Sequence, residues 1–367
     1  MRKTYNVGII GMGLIGKVHT YGYENLKYYY PDAPFRAKVF GICDTRKEIL
    51  GTIREDFGSP FTTTDYRQLI EHPDIDIVDI CTPNIFHKQQ ILESIVANKH
   101  IYCEKPLVSD IMESVEVINA LKNFKKKHQM TFNSRFFPTS IKAKELIDAG
   151  RLGDPISFRI SYYHSGSVEK DKPMGWKQEK GAGVALDLGA HIIDLLYYLW
   201  GEFSEVSAVT KILYPERKNK EGKIVKVEAE DYFNCNVKLK NKAMGNIVAS
   251  KVSLGSEDEI RYELYGTKGA LQFNSMQPNF LWYFNQKEPE SGFKALPVVS
   301  RYPESNFPGP KFAVGWIRGH IHSIYKFLSA IDSNTPACPS FYDGHYNMKV
   351  LESARLSEKK NMWVKVE

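Results

Sequence analysis

Short apolar runs alternate with amphipathic stretches along the first third of the 367-residue chain. The apolar runs are rich in β-branched residues and predict strands at residues 5–10, 37–43, 75–81, 100–103 and 130–132. The stretches between them carry apolar positions at helical spacing and predict helices at residues 14–28, 46–57, 86–97 and 111–124. This alternation indicates βαβ units and therefore an α/β, doubly wound parallel sheet.

From about residue 135 onwards the pattern changes to long runs in which apolar and polar positions alternate. They predict an α+β region with a large, mostly antiparallel open sheet. Its strands are predicted at residues 156–163, 205–213, 231–239, 243–252, 260–265, 270–273 and 280–284. Helices are predicted at residues 141–149, 184–199, 316–330 and 345–359, a loop or hairpin tip at 215–226, and a structured loop at 287–310. We therefore predict two domains, residues 1–132 and residues 133–367.

Composition and charge narrow the class of protein. The net charge of +6 is mild, and the one dense lysine run, 125–127, ends a predicted helix, where cations complement the helix dipole. We therefore expect no nucleic-acid partner. The five cysteines are widely spaced without a C-x-x-C pair, which argues against a disulfide framework or a metal site and favours a reducing compartment. Because no apolar run reaches membrane-spanning length and no signal peptide is recognisable, we expect a cytoplasmic protein with no membrane partner.

A glycine-rich turn follows the first predicted strand and opens the first predicted helix. In this context G-x-G-x-x-G indicates a dinucleotide-binding site, whereas the alternative is a plain strand-to-helix turn. Gly11 would permit the tight turn, Gly13 the approach of a pyrophosphate, and Gly16 the close packing of helix and strand. The predicted cofactor-binding residues in this turn are Gly11, Met12, Gly13, Leu14, Ile15 and Gly16.

An acidic residue, Asp44, follows the second predicted strand. A carboxylate at this place hydrogen-bonds the adenosine ribose and repels a 2′-phosphate, which favours NAD over NADP as the cofactor. Arg46 weakens this preference because an arginine nearby accommodates the phosphate, so NADP stays open. The structural alternative is that Asp44 only caps the next helix. Thr45 completes this predicted cofactor-binding stretch.

Two further segments come directly after strands, at the edge where open α/β sheets bind ligands. Asn84 is also suited to capping the following helix, and His87 to the surface of its first turn. The ammonium of Lys105 would stabilise an alkoxide or polarise a carbonyl, with a solvated loop lysine as the alternative. The predicted cofactor-binding residues in these segments are Thr82, Pro83, Asn84, His87, Glu104 and Lys105.

A polar stripe lies on an otherwise apolar helix of the second predicted domain. Asp187 and His191 are four residues apart and share a helix face, and Asp194 follows three residues later. Buried polar groups are costly unless they line a site. A histidine is a natural base for a hydroxyl, and a carboxylate beside it orients the ring. The stripe therefore predicts a catalytic site, with a surface helix as the alternative.

In this order the five motifs resemble the glucose–fructose oxidoreductase/inositol dehydrogenase/rhizopine-catabolism family, written Gfo/Idh/MocA. The resemblance spans nearly the whole chain and includes segments 133–136 and 265–270. It implies an NAD(P)-binding Rossmann domain followed by a domain for substrate binding and oligomerisation, with a homodimer or homotetramer as the expected assembly. One departure is Ala182, where many members have a third glycine.

The resemblance also implies an activity. It implies that Lys105, Asp187 and His191 are catalytic and that hydride passes between the nicotinamide and a secondary alcohol of a sugar, glycoside or inositol-like polyol. His191 would remove the hydroxyl proton, Lys105 would stabilise the developing charge, and Asp187 would orient the substrate or the histidine. The residues expected to shape the site for this small-molecule carbohydrate are Arg135, Tyr163, His164, Trp176, His191 and His320.

Three other functions stay open. The same motifs fit a glycosidase that oxidises its substrate transiently with NAD and consumes none. A non-catalytic sugar or dinucleotide sensor would retain the Rossmann domain, but such a protein usually loses the lysine or the histidine that this chain keeps. The third alternative is a dehydrogenase whose substrate is not a sugar.

Overall fold

The computed structural model describes residues 2–175, 181–219, 221–288, 292–298, 302–305, 307–309 and 312–367. The chain forms two compact units, and we treat each by itself. The first unit comprises Met1–Phe136 and Ser300–His345, and the second comprises Phe137–Val299 and Tyr346–Glu367. The domain boundary after residue 132 stays a prediction.

The strands are β1 (Lys3–Ile10), β2 (Phe35–Cys43), β3 (Phe61–Thr63), β4 (Ile77–Ile80), β5 (His100–Cys103), β6 (His128–Met130), β7 (Pro155–Tyr163), β8 (Phe203–Lys211), β9 (Glu216–Lys218), β10 (Ile224–Lys226), β11 (Tyr232–Leu239), β12 (Met244–Ser250), β13 (Glu259–Gly266), β14 (Gly269–Asn274), β15 (Phe280–Asn285), β16 (Lys294–Pro297) and β17 (Val364–Lys365). The α-helices are α1 (Leu14–Tyr29), α2 (Lys47–Phe57), α3 (Tyr66–Glu71), α4 (His87–Val96), α5 (Ile111–Ala120), α6 (Pro138–Asp148), α7 (Ala190–Trp200), α8 (Trp316–Asp332) and α9 (Phe341–Lys360).

The first unit is built on a six-stranded sheet in the order β3-β2-β1-β4-β5-β6, in which every strand pair is parallel. Parallel strands are covered on both faces, and all four residues of β4 are accordingly buried. Helix α8 belongs to this unit although it lies far along the chain. Its Ile321, Ile324 and Phe327 join the apolar core that α1, β1 and β2 share.

The second unit contains a nine-stranded sheet in the order β16-β15-β14-β13-β7-β12-β11-β8-β17. Neighbouring strands are antiparallel except for β7 and β12, which are parallel. From Phe158 onwards in β7, the side chains of Phe158, Ile160 and Tyr162 are buried, whereas Arg159 between them is exposed and Ser161 is half-buried. This alternation is the period-two pattern of a sheet with one covered face. The two sheets confirm the predicted fold class.

Most predicted elements lie within a few residues of the observed ones. The sequence pattern missed β3, α3, β16 and β17, which are short and lack a clear period. The polar segment 215–226 contains the hairpin formed by β9 and β10. Within the described part of the chain, no helix combines the length and the apolarity needed to cross a membrane.

Candidate active site

The glycine-rich turn of the first unit connects β1 to α1. Gly11 has a φ of 95°, and a Cβ there would lie 3.0 Å from the backbone of Cys81. A Cβ on Gly16 would overlap the carbonyl oxygen of Gly11, whereas a Cβ on Gly13 would meet nothing within 4 Å. Helix α1 begins after Gly13 without a side-chain cap, so its first N–H groups stay available to an anion. The turn thus has the open approach and the free donors that a pyrophosphate requires.

Asp44 is tightly engaged beside this turn. Its Oδ2 accepts a hydrogen bond from the Met12 N–H at 2.9 Å, and its Oδ1 accepts hydrogen bonds from the backbone N–H and Nε of Arg46, each at 2.9 Å. Burial alone would raise the pKa of Asp44, but the hydrogen bonds from Arg46 and Met12 lower it below its usual value. The residue that caps α2 is Arg46, which makes no side-chain cap bond, so Asp44 is not the helix cap.

The residues after β4 and β5 tie two loops together. His87 is fully buried, with Nε2 2.8 Å from the Thr82 carbonyl oxygen and Nδ1 2.9 Å from that of Pro106. Burial lowers the pKa of His87. Asn84 donates a hydrogen bond to the Ser109 hydroxyl at 3.2 Å. His87 is therefore not a surface residue, and its predicted role in cofactor binding would act through the loops that it holds.

Glu104 and Lys105 follow β5 and lie beside two residues that the sequence analysis missed. The backbone N–H of Lys105 donates to Glu104 Oε2 at 3.1 Å. The other carboxylate oxygen, Oε1, lies 3.4 Å from Nε2 of His19, and the opposite ring nitrogen of His19 lies 3.1 Å from both oxygens of Asp79. The sequence features that could have indicated these two residues are an aspartate within the apolar strand β4 and a histidine three residues after Gly16.

Asp187 and His191 of the second unit lie on one continuous helical segment. A π-helical turn, Ala185–Gly189, leads into α7, and such turns are frequent at functional sites. Gly183 has a φ of 113° and packs against the Glu230 carboxylate, which accepts a hydrogen bond from the Ala185 N–H at 2.9 Å. Burial raises the pKa of this carboxyl group. Both glycines before the turn, at positions 181 and 183, have positive φ.

Asp187 forms an ion pair that no sequence motif indicated. Its Oδ2 lies 3.1 Å from Nζ of Lys251, which is 95% buried and directly follows β12. His191 is half-buried, and its ring lies 5.7 Å from the ring of Tyr162 in an edge-on arrangement. A carboxylate, an ammonium and an imidazole are therefore gathered around the start of α7. A lysine at the end of an alternating strand has no distinguishing pattern, which is why it was missed.

The predicted substrate-binding residues differ in the unit to which they belong and in their burial. Tyr163 and His164 are half-buried at the end of β7 in the second unit. In the first unit, Arg135 is buried and pairs with Asp343 at 3.0 Å, and His320 is buried with its Nε2 3.0 Å from Nδ2 of Asn133. Trp176 lies outside the described residues. Their roles toward a substrate stay predictions.

The first unit thus brings together the glycine-rich turn, Asp44, and the segments that end at Asn84 and Lys105. They lie at the carboxyl edge of the parallel sheet, where dinucleotides bind in this architecture. The second unit brings together Asp187, His191 and Lys251. These groups are suited to holding a hydroxyl and moving its proton.

Comparison with known proteins extends this picture. Residues 5–132 match the model of an oxidoreductase family with an NAD-binding Rossmann fold, and residues 140–272 match the GFO/IDH/MocA C-terminal domain. Levoglucosan dehydrogenase from Pseudarthrobacter phenanthrenivorans is 31% identical over 99% of this chain and 98% of its own length. Myo-inositol 2-dehydrogenase from Thermotoga maritima is 25% identical over 98% of each protein. The solved structure of levoglucosan dehydrogenase in complex with NADH has a TM-score of 0.96, with 31% identity and 100% of both chains covered.

Proposed function

The chain belongs to the GFO/IDH/MocA oxidoreductase family, and from this premise we propose that it is an NAD-dependent dehydrogenase of carbohydrate hydroxyl groups. The matches to the two family models and to levoglucosan dehydrogenase confirm the predicted family. The proposal rests above all on the full-length similarity to levoglucosan dehydrogenase, whose structure with NADH has a TM-score of 0.96. We propose a secondary alcohol of a sugar, glycoside or inositol-like polyol as the reacting group, with anhydrosugars as the first class to test.

The residues of the first unit fit NAD. The open space over Gly13 and the uncapped start of α1 would receive the pyrophosphate, and the ionised Asp44 would accept hydrogen bonds from the adenosine ribose. Arg46 is bound to Asp44, which supports NAD over NADP because this guanidinium is already paired. When bound, NAD supplies the hydride acceptor, or NADH the donor in reverse.

We assign the proton chemistry to three side chains. His191 would take the proton of the reacting hydroxyl, because it is a half-buried imidazole on the helix that also carries Asp187. The Lys105 ammonium would stabilise the negative charge that develops on that oxygen. Asp187 is held by Lys251 in a buried ion pair, so its oxygens have a fixed direction in which to orient the substrate or the histidine.

The test is a substrate screen with purified protein that follows nicotinamide absorbance. NAD and then NADP would be offered with anhydrosugars, inositols, aldoses and glucosides. Reduction of NAD by one carbohydrate class supports the proposal. Release of an aglycone without net NADH formation would instead favour the transient-redox glycosidase, and cofactor binding without any reaction would favour the sensor.

We further propose that the enzyme is a cytoplasmic homo-oligomer. Several strands of the large sheet carry exposed apolar side chains, among them Ile156, Val209 and Met244. Such side chains favour self-association when they form one patch. Light scattering coupled to size-exclusion chromatography would give the mass, and a monomer at micromolar concentration would contradict the proposed assembly.

A further inference from the structure

A buried ionic cluster lies at the carboxyl ends of β4 and β5 in the first unit. His19 of α1 is fully buried, and so is Asp79 of β4, whose two carboxylate oxygens lie 3.1 Å from His19 Nδ1. On the other side, His19 Nε2 lies 3.4 Å from Glu104 Oε1. Well-packed apolar residues often replace buried ion pairs without loss of stability. A cluster of one imidazole and two carboxylates therefore calls for an explanation other than stability.

The cluster reaches a residue of the proposed chemistry through one hydrogen bond. Glu104 uses one oxygen toward His19 and the other, Oε2, to accept a hydrogen bond from the Lys105 N–H at 3.1 Å. A continuous series of polar contacts thus runs from Asp79 through His19 and Glu104 to the Lys105 backbone. His19, Asp79 and Glu104 are all buried, so the hydrogen bond to the Lys105 N–H comes from a side chain that its neighbours hold in place.

We propose that Asp79 and His19 are positioning residues that hold Glu104, and through it the Lys105 backbone, in the place that the reaction requires. This inference rests on the proposed dehydrogenase function. Its physical content is that His19 acts as an imidazolium bridge between two carboxylates, and that loss of the bridge lets the Glu104 side chain turn away from the Lys105 N–H.

The surroundings of His19 support the cationic form. Titratable side chains that act on His19 or its partner carboxylates come from every packed element, and they are Tyr23, Asp79, Cys81, Tyr102, Glu104, Lys105 and His320. Burial alone would lower the pKa of His19, but Asp79 raises it well above its usual value. Burial and then the charge of His19 lower the pKa of His320 to about 3, so His320 is neutral.

The same cluster also has the composition of a metal site, because donor atoms of His19, Glu104 and His320 lie within 4.8 Å of one another. An imidazolium has no lone pair to offer a cation, and its charge repels one. The charge of His19 already offsets one of the two carboxylate charges in the cluster. We therefore interpret it as an ionic bridge and not as a metal centre.

The kinetic test compares His19→Ala and Asp79→Asn with a matched control, His322→Ala. His322 is equally buried in α8 of the same unit, but its Nδ1 faces the Tyr30 hydroxyl and not a carboxylate. We expect His19→Ala to lower kcat by about 10²-fold, as small displacements of catalytic groups do. NAD should still bind in a fluorescence titration, because the glycine-rich turn and Asp44 are untouched. The control should keep the wild-type kcat per folded molecule.

A pH profile separates positioning from loss of fold. Burial would raise the pKa of Glu104, and His19 is the main group that lowers it below the usual value. Without His19, Glu104 takes up a proton at higher pH, so the acid limb of kcat/KM should move to higher pH in His19→Ala. Glu104→Gln keeps an oxygen for the Lys105 N–H and should therefore retain more kcat than Glu104→Ala.

A readout independent of turnover is the ¹⁵N NMR signal of the His19 ring, assigned in the wild-type protein through its couplings along the His19 side chain. Both ring nitrogens should stay protonated between about pH 6 and 8, the range in which an ordinary histidine titrates. A His19 that titrates normally in the wild type overturns the proposal, whether or not any variant folds. So does a folded, NAD-binding His19→Ala variant with wild-type kcat and an unshifted acid limb. If no carbohydrate reacts with the wild type, the proposed function fails, while the NMR result still decides the ionic bridge.

Discussion

Replacing Asp44 should change which nicotinamide cofactor the enzyme uses. In the structure this carboxylate accepts hydrogen bonds from Met12 N and from three nitrogens of Arg46, and the Arg46 side chain is half-exposed. Asp44→Ala removes the proposed acceptor for the ribose and also releases the Arg46 guanidinium. The freed arginine would be able to pair with a 2′-phosphate.

The magnitude follows from these contacts. A hydrogen bond to a charged group contributes about 1.5–3 kcal/mol. With tenfold for every 1.4 kcal/mol, kcat/KM for NAD should fall by about 10- to 150-fold. The kcat/KM for NADP should rise, because a repelling charge is lost and a pairing cation is gained. The Met12 N–H also loses its acceptor, which would cost about 1–3 kcal/mol of unfolding free energy.

The assay measures kcat/KM for both cofactors with one carbohydrate, together with the melting temperature. Asp44→Asn is the matched control, because its amide oxygen still accepts from Met12 N while the charge is gone. It should melt at a higher temperature than Asp44→Ala, because one of the two acceptor oxygens remains, and it should lose part of the preference for NAD. An Asp44→Ala variant that folds and keeps the wild-type ratio of the two kcat/KM values would refute the assignment of Asp44 to the ribose.

Three further predictions address the site and the fold. His191→Ala should lower kcat by about 10²–10⁴-fold with little change in melting temperature, and unchanged turnover would remove His191 as the base. Gly16→Ala should destabilise the protein by about 1–3 kcal/mol, because its Cβ overlaps the Gly11 carbonyl oxygen. Gly13→Ala should fold normally and bind NAD poorly in a fluorescence titration. If Gly13→Ala and Gly16→Ala melt at the same temperature, the proposed overlap at Gly16 does not affect stability. Burial lowers the pKa of His128 to about 4 in the folded protein. Below about pH 6.5 the unfolded state therefore binds more protons than the folded state, so the free energy of unfolding decreases as the pH is lowered. The free energy of unfolding should decrease by about 1.5 kcal/mol between pH 6.5 and 5. In chemical unfolding experiments, His128→Gln should make this free energy less dependent on pH. If the pH dependence is the same as in the wild type, His128 is not its source.

The order of elements and the glycine-rich turn were predictable because both depend on patterns within short stretches of the sequence. A strand, a turn with three spaced glycines and a helix occupy one short stretch, so no long-range information is required. The same holds for Asp187 and His191, which are one helical turn apart.

The partners of these residues were not predictable, because they come from distant parts of the chain. His19 lies on α1, Asp79 on β4 and Glu104 directly after β5, and the folding of the parallel sheet brings their side chains together. Lys251 likewise meets Asp187 only through the folding of β12 beside the π-helical turn. Periodicity shows which face of an element is buried, but not which buried polar groups will meet.

The return of α8 to the first unit has a consequence for how the protein is made. Residues 1–136 carry all six parallel strands, yet their apolar core also includes side chains of α8, among them Ile321, Ile324 and Phe327. During synthesis the core of this unit stays incomplete until α8 has left the ribosome, about 180 residues after the last parallel strand, and incomplete cores of this kind are prone to aggregate. Recombination that exchanges only the N-terminal segment between relatives would separate the sheet from the helix that seals it.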